Sequence, residues 1–185
     1  MGRLLYTDLD DTIVTSSVDR YGQVLEITPR PGVDQFIRSL SNHGELYVLS
    51  HATRDHVLNA LEAIGDSSHA FQGILSREDL QPVIEQLEIV ASEPGLSERE
   101  RNRLIMEIPP IAPRGVMFDD FPPRSWMYMI KATALGIDER HWIQVAPFND
   151  LKPDRGGLEK AYREYLRRFS LSHVGISGRA RRAAP

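Results

Sequence analysis

Five short apolar runs punctuate the chain, at residues 3–8, 45–50 ("ELYVLS"), 70–75 ("AFQGIL"), 115–119 ("GVMFD") and 142–146 ("WIQVA"). They are continuous rather than alternating, the pattern of strands covered on both faces of a parallel sheet. Helical patterns lie between them. Val33, Phe36, Ile37 and Leu40 recur at helical spacing after Pro31, a favoured first-turn residue, with Gly44 as a stop. Trp126, Met129, Ile130, Thr133 and Ala134 form a second apolar stripe, and Leu158, Ala161, Tyr162, Tyr165, Leu166 and Phe169 a third. Alternating strands and helices predict an α/β doubly wound domain with right-handed connections.

Two segments break the alternation. Residues 12–28 predict a β-hairpin turning near "DRYG", and residues 79–113 predict a helix, a loop at "SEPG", a second charged helix from about 97 and a proline-rich stretch. The basic tail 171–185 is small and poorly patterned, which predicts disorder. The domain therefore spans 1–170, and 185 residues suffice for one filled core rather than two.

Composition narrows the chemistry. No apolar run approaches the roughly 20 residues of a bilayer span, and Asp8 interrupts any secretory h-region, so a cytoplasmic protein without membrane contact is expected. The absence of cysteine removes disulfides, thiolate metal sites and thiol nucleophiles. A formal net charge of -4 argues against nucleic acid as a partner. The basic side chains are almost all arginine; Lys131, Lys152 and Lys160 are the exceptions.

In open parallel sheets ligands bind beyond the carboxyl ends of the strands. Collected there are Asp8, Asp10 and Thr12 after the first strand, Ser50 after the second, and Asp119 with Asp120 after the fourth. Carboxylates converging on one crevice repel each other unless a hard, oxygen-loving cation neutralises them, and Mg2+ is the natural choice. Taken singly these residues have plainer explanations: Asp119 and Asp120 equally fit a helix cap, and Ser50 another. Together they point to phosphoryl chemistry.

"YTDLDDTIV" resembles the first motif of the haloacid dehalogenase (HAD) superfamily, "LYVLS" its second and "VMFDD" its fourth. "RPGVDQFIRSL", "ELYVLSHATRDHV" and "VAPFNDLKPDRGGLEKAYREYL" are similar to the NLI-interacting-factor and polymerase C-terminal-domain phosphatase group. The resemblance covers residues 3 to about 168, except 79–113. It implies a Rossmann-like three-layer sandwich with a small hairpin flap and no full cap domain. It also implies roles: Asp8 as nucleophile, Asp10 as general acid and base, and Asp8, Asp119 and Asp120 with the main-chain carbonyl of Asp10 as ligands of magnesium. Ser50 then donates to the phosphate and Thr12 steadies the acidic loop.

The family's third motif, a lysine or arginine beside the phosphate, has no lysine to fill it before residue 131. Arg103, sixteen residues before Asp119, and Arg77 in "LSRED" are equal candidates for phosphate binding. A solvated face explains Arg103 as well. Lys131 is expected to point away from the site, and Lys152 to lie within reach. His51 and His56 are five apart, off one helix face, and read more simply as solvated or loop-packing residues. The expected function is a magnesium-dependent phosphomonoesterase with an aspartyl-phosphate intermediate. An open site suits phosphoserine or phosphothreonine in a protein; the alternatives are a small-metabolite or nucleotide phosphatase, or a HAD-fold binding module with weakened turnover.

Overall fold

The computed structural model describes residues 3–21, 24–148, 154 and 156–170; the basic tail and Lys152 lie outside them. Five parallel strands form the central sheet: β1 (Arg3–Thr7), β4 (Gly44–Leu49), β5 (Phe71–Leu75), β6 (Val116–Asp119) and β7 (Trp142–Gln144). Their order is β5-β4-β1-β6-β7, so the chain runs outward from β1 to one side and returns to the other at β6. Leu5 pairs with Leu46 on one flank and Val116 on the other. Where β1 meets β4, an added Cβ on Gly44 would fall 1.9 Å from the Arg3 carbonyl oxygen, so only glycine admits this register.

Successive residues of each strand feed opposite faces, as a pleated sheet requires. Leu5, Leu46, Val48, Val116, Phe118 and Ile143 join one core, and Tyr6, Leu49, Met117 and Trp142 the other. The first is closed by α1 (Val33–Ser41), α2 (Arg54–Ile64) and α6 (Gly157–Tyr165) through Phe36, Ile37, Val57 and Leu158. The second is closed by α3 (Arg77–Ser92) and α5 (Trp126–Leu135) through Leu80, Val83, Leu87 and Ile130. The result is a three-layer Rossmann-like sandwich, with no cap domain among the described residues. Nor is any described helix long and apolar enough to cross a membrane.

The hairpin consists of β2 (Val14–Val18) and β3 (Val24–Pro29), antiparallel with Ser16 opposite Ile27. Residues 79–113 form most of α3 and all of α4 (Glu98–Glu107). α3 is a layer helix, its start fixed by the Ser76 N–H donating to the Asp79 carboxylate at 2.9 Å.

Of the stripe expected on α5, Ile130 and Ala134 are buried in the core and Trp126 is not. Ser125, not a residue nearer Asp119, caps the helix, its hydroxyl accepting the Tyr128 N–H at 3.1 Å. Residues 120–125 are therefore non-helical and the helical phase restarts at Trp126, which is exposed. The buried face carries Ile130, Lys131, Ala134 and Leu135.

Candidate active site

β1, β4 and β6 are neighbours in the sheet, so the residues at their carboxyl ends meet at the point where strand order reverses. They line an open cleft of about 470 Å³ that contains Asp8, Asp10, Ser50, Asp120 and Lys131. The Asp8 N–H extends the sheet by donating to the Phe118 carbonyl at 2.9 Å. The chain then turns tightly: the amides of Thr12, Ile13 and Val14 all donate to the Leu9 carbonyl, at 3.1, 2.8 and 3.1 Å. Asp11 takes a left-handed φ of 57° to make this possible.

Thr12 ties that turn to β6. Its buried hydroxyl donates to Asp120 Oδ1 at 3.3 Å and accepts the Asp120 N–H at 3.1 Å. On the other side Ser50 is buried, and its oxygen accepts the Ala52 N–H at 3.1 Å, which leaves its hydroxyl hydrogen for a ligand.

The cation beside Asp8 is Lys131, contrary to the expectation that it faces away. Its ammonium lies 2.9 Å from Asp8 Oδ2 and 2.6 Å from Asp119 Oδ2, with its side chain only 1% exposed. Helical side chains lean toward the helix amino terminus, and with α5 beginning at Trp126 that tilt carries the lysine back over β6. The Phe121 ring flanks the ammonium 5.6 Å away. Arg103 is elsewhere: it sits on α4, 72% exposed, paired with Glu107 at 3.4 Å, and does not line the cleft. Arg77 is on the rim, its Nε donating to the His51 carbonyl at 2.8 Å. No residue of 79–113 lines the cleft.

Reading His56 as a solvated histidine also fails. Its Nε2 lies 3.0 and 3.1 Å from the two oxygens of Asp10, held there because Thr53 caps α2 and puts His56 in the first helical turn, facing the cleft. The spacing from His51 carries no information about this contact; the informative signal is the Thr53 cap, four residues after β4 ends at Leu49. His51 lines the cleft with its pKa lowered, by burial first and then by Arg77 and Lys131.

Asp8, Asp119 and Asp120 each present an oxygen within 4.8 Å of the others. Burial pushes the Asp119 carboxyl upward despite Lys131. Burial, followed by repulsion from Asp8 and Asp11, raises Asp120 to about 6. Burial alone would lower the Lys131 ammonium, but Asp8 and Asp119 outweigh it and its pKa rises. Three carboxylates against one ammonium leave two negative charges when all are ionised. An all-oxygen donor set with that residual charge fits a hard divalent cation. The Asp10 carboxylate is not part of this set, being turned toward His56.

Residues 3–173 match the model of the NLI interacting factor-like phosphatase family. Among solved structures, a fission yeast RNA polymerase II C-terminal-domain phosphatase, Fcp1-R271A bound to beryllium fluoride, is 18% identical with a TM-score of 0.48, over 92% of this chain and 51% of that one. A second Fcp1 structure is 16% identical with a TM-score of 0.48, over 97% and 55%. The chain thus spans about half the length of these two proteins. A 3-deoxy-D-manno-octulosonate 8-phosphate phosphatase from Moraxella catarrhalis, in complex with magnesium, phosphate and KDO, is 10% identical with a TM-score of 0.42, over 90% and 87%. No curated protein sequence matches the chain. With its match to the family model running through nearly the whole described domain, the chain belongs to the NLI interacting factor-like phosphatase family.

Proposed function

We propose that the protein hydrolyses phosphate monoesters through an aspartyl-phosphate on Asp8. The observation that carries this reading is the Lys131 ammonium seated between Asp8 and Asp119 at the mouth of an open cleft. A buried cation there stands beside the Asp8 nucleophile and offers charge to an incoming phosphoryl oxygen.

In the first step an Asp8 oxygen attacks phosphorus, the ester P–O bond breaks with its electron pair passing to the leaving oxygen, and Asp10 supplies that oxygen with a proton. In the second, the Asp10 carboxylate takes a proton from water as the water oxygen attacks phosphorus. The P–O bond to Asp8 then breaks, inorganic phosphate leaves, and Asp10 is protonated again. Ser50 donates to a phosphoryl oxygen, Arg77 offers a further cation at the rim, and Thr12 keeps the Asp8–Asp10 turn against β6. Asp8, Asp119, Asp120 and the Asp10 carbonyl would hold magnesium, which when bound neutralises charge on the phosphoryl group and its attacking carboxylate.

The substrate class is a phosphorylated serine or threonine in a protein. An uncapped cleft admits an extended chain, and the flap beside it exposes Tyr21, Val24 and Leu25, with Val24 in the cleft wall. The buried lysine also removes the reason for a turnover-deficient binding module, which was the apparent lack of a cation. A panel of phosphopeptides, sugar phosphates and nucleotides assayed with magnesium and with a chelator tests the reading. Magnesium-dependent release fastest from phosphopeptides is expected. Preference for the small phosphates would overturn the substrate class, and release unaffected by Asp8→Asn would overturn the mechanism.

A further inference from the structure

Three elements converge on the Asp10 side chain. The turn after β1 presents the carboxylate, β2 of the flap presents Ser16, and the first turn of α2 presents His56. The Ser16 hydroxyl donates to Asp10 Oδ1 at 2.7 Å. His56 Nε2 approaches the same oxygen at 3.0 Å and Oδ2 at 3.1 Å. The His56 ring is itself largely enclosed, 14% exposed, and its main-chain N–H is held by Thr53 Oγ1 at 3.4 Å. Ser16 and His56 also stand 3.4 Å apart, closing a triangle around the carboxyl group.

From this geometry we infer that His56 is a positioning residue for the general acid, holding the orientation of the Asp10 carboxyl group that delivers the proton to the leaving group. The inference rests on the phosphatase reading above. The Ser16 hydroxyl donates to Oδ1 while Nε2 of His56 stands against both oxygens, so the carboxyl group is anchored from two elements. Rotation about χ2 is thereby restricted, and the acid form presents its proton in one orientation. Without His56, Asp10 keeps only Ser16 and the carboxyl group is free to rotate about χ2. Held geometry of this kind is what general acid catalysis needs, since transfer requires the donor within hydrogen-bond reach of the leaving oxygen.

A leaving-group comparison isolates this role from a structural one. An alkyl phosphate such as a phosphoserine peptide expels a strongly basic alkoxide and needs the proton; an aryl phosphate with an acidic phenol hardly does. kcat/KM reports only the steps up to the first irreversible one, so the later use of Asp10 as base does not blur the result. His56→Ala should lower kcat/KM on the phosphoserine peptide by on the order of tenfold or more, within the roughly 10²- to 10⁴-fold that general acid–base catalysis contributes. On the acidic aryl phosphate the loss should be about threefold or less. His56→Gln, which restores an N–H at similar reach, should recover most of the peptide rate, and Ser16→Ala should show the same split more weakly. Asp10→Asn provides the benchmark split. Equal losses on both substrates, or no loss in His56→Ala, would overturn the role assigned to His56 while leaving the phosphatase reading intact. Failure of the wild type to release phosphate from either compound would instead overturn the phosphatase reading, and this inference with it.

Discussion

Lys131 is the residue on which the charge balance of the cleft turns. Its ammonium separates two buried carboxylates that would otherwise face each other across the end of β1 and β6. Lys131→Met leaves them unpaired, and removing one partner of a buried ion pair costs about 3–5 kcal/mol. Thermal melts of the metal-free variant should show that loss, and kcat/KM should fall by roughly 10²- to 10³-fold, the scale of losing one preorganised charge contact in an acyl or phosphoryl site. Arg103→Ala, on the exposed face of α4, should stay within about twofold of wild type, as expected of an exposed ion pair. A second buried pair lies behind the acidic turn. Arg30 binds Asp154 at 2.9 Å and donates to the Thr12 carbonyl at 2.8 Å, with Asp154 holding the amide of Gly157 at 3.0 Å. The Arg30 hydrogen bonds hold the Asp154 pKa down. A depressed carboxyl stabilises the fold fully above the ordinary value of about 3.9, and that contribution disappears as pH falls through the lower folded value. Asp154→Asn should therefore lower stability at pH 7 and flatten the acid limb of a melting-temperature-against-pH curve; an unchanged curve would mean that the pair is not coupled to folding.

At the level of elements, α5 converts a cap into catalytic geometry. Ser125 starts the helix at Trp126, and the start sets the phase that turns Lys131 inward. Ser125→Ala should cost about 1 kcal/mol of stability. Because the lost cap frays the turn on which the lysine rests, kcat should drop more than KM rises, a split that steady-state kinetics measures directly. This helix also shows where the chain was easy to read and where it was not. The strands were legible because buried parallel strands are runs of apolar residues needing no register information, and Asp8, Ser50, Asp119 and Asp120 follow from them as strand ends. The hairpin was legible from a different pattern, apolar residues alternating with polar ones on either side of a turn in residues 12–28, and its strands pair from Val14 to Pro29. Helical phase is harder: a stripe of Trp126, Met129 and Thr133 looks as good on paper as the true one, and the difference between them is one residue of rotation. A single lysine on such a helix carries no periodic signal. His56 was hidden for a related reason, since its partner Asp10 is 46 positions away and only the packing of α2 against the flap brings them together.

The whole molecule places this chemistry at the reversal point of a sheet covered on both faces. Carboxyl ends of β1 and β6 supply the acids and that of β4 supplies Ser50, the layer on one side supplies His56 from α2, and the layer on the other supplies Lys131 from α5. Among the described residues, the flap and the rim at Arg77 are the surfaces a bulky substrate would meet. In this setting Asp8 is proposed to become covalently phosphorylated. Borohydride reduces an acyl phosphate to an alcohol, so the protein quenched during turnover of an aryl phosphate with magnesium, reduced and mapped by mass spectrometry, reports the site. A reduced side chain is expected at position 8 alone, absent without substrate and absent in Asp8→Asn. Steady phosphate release with residue 8 never modified, or with the modification at another carboxylate, would contradict it.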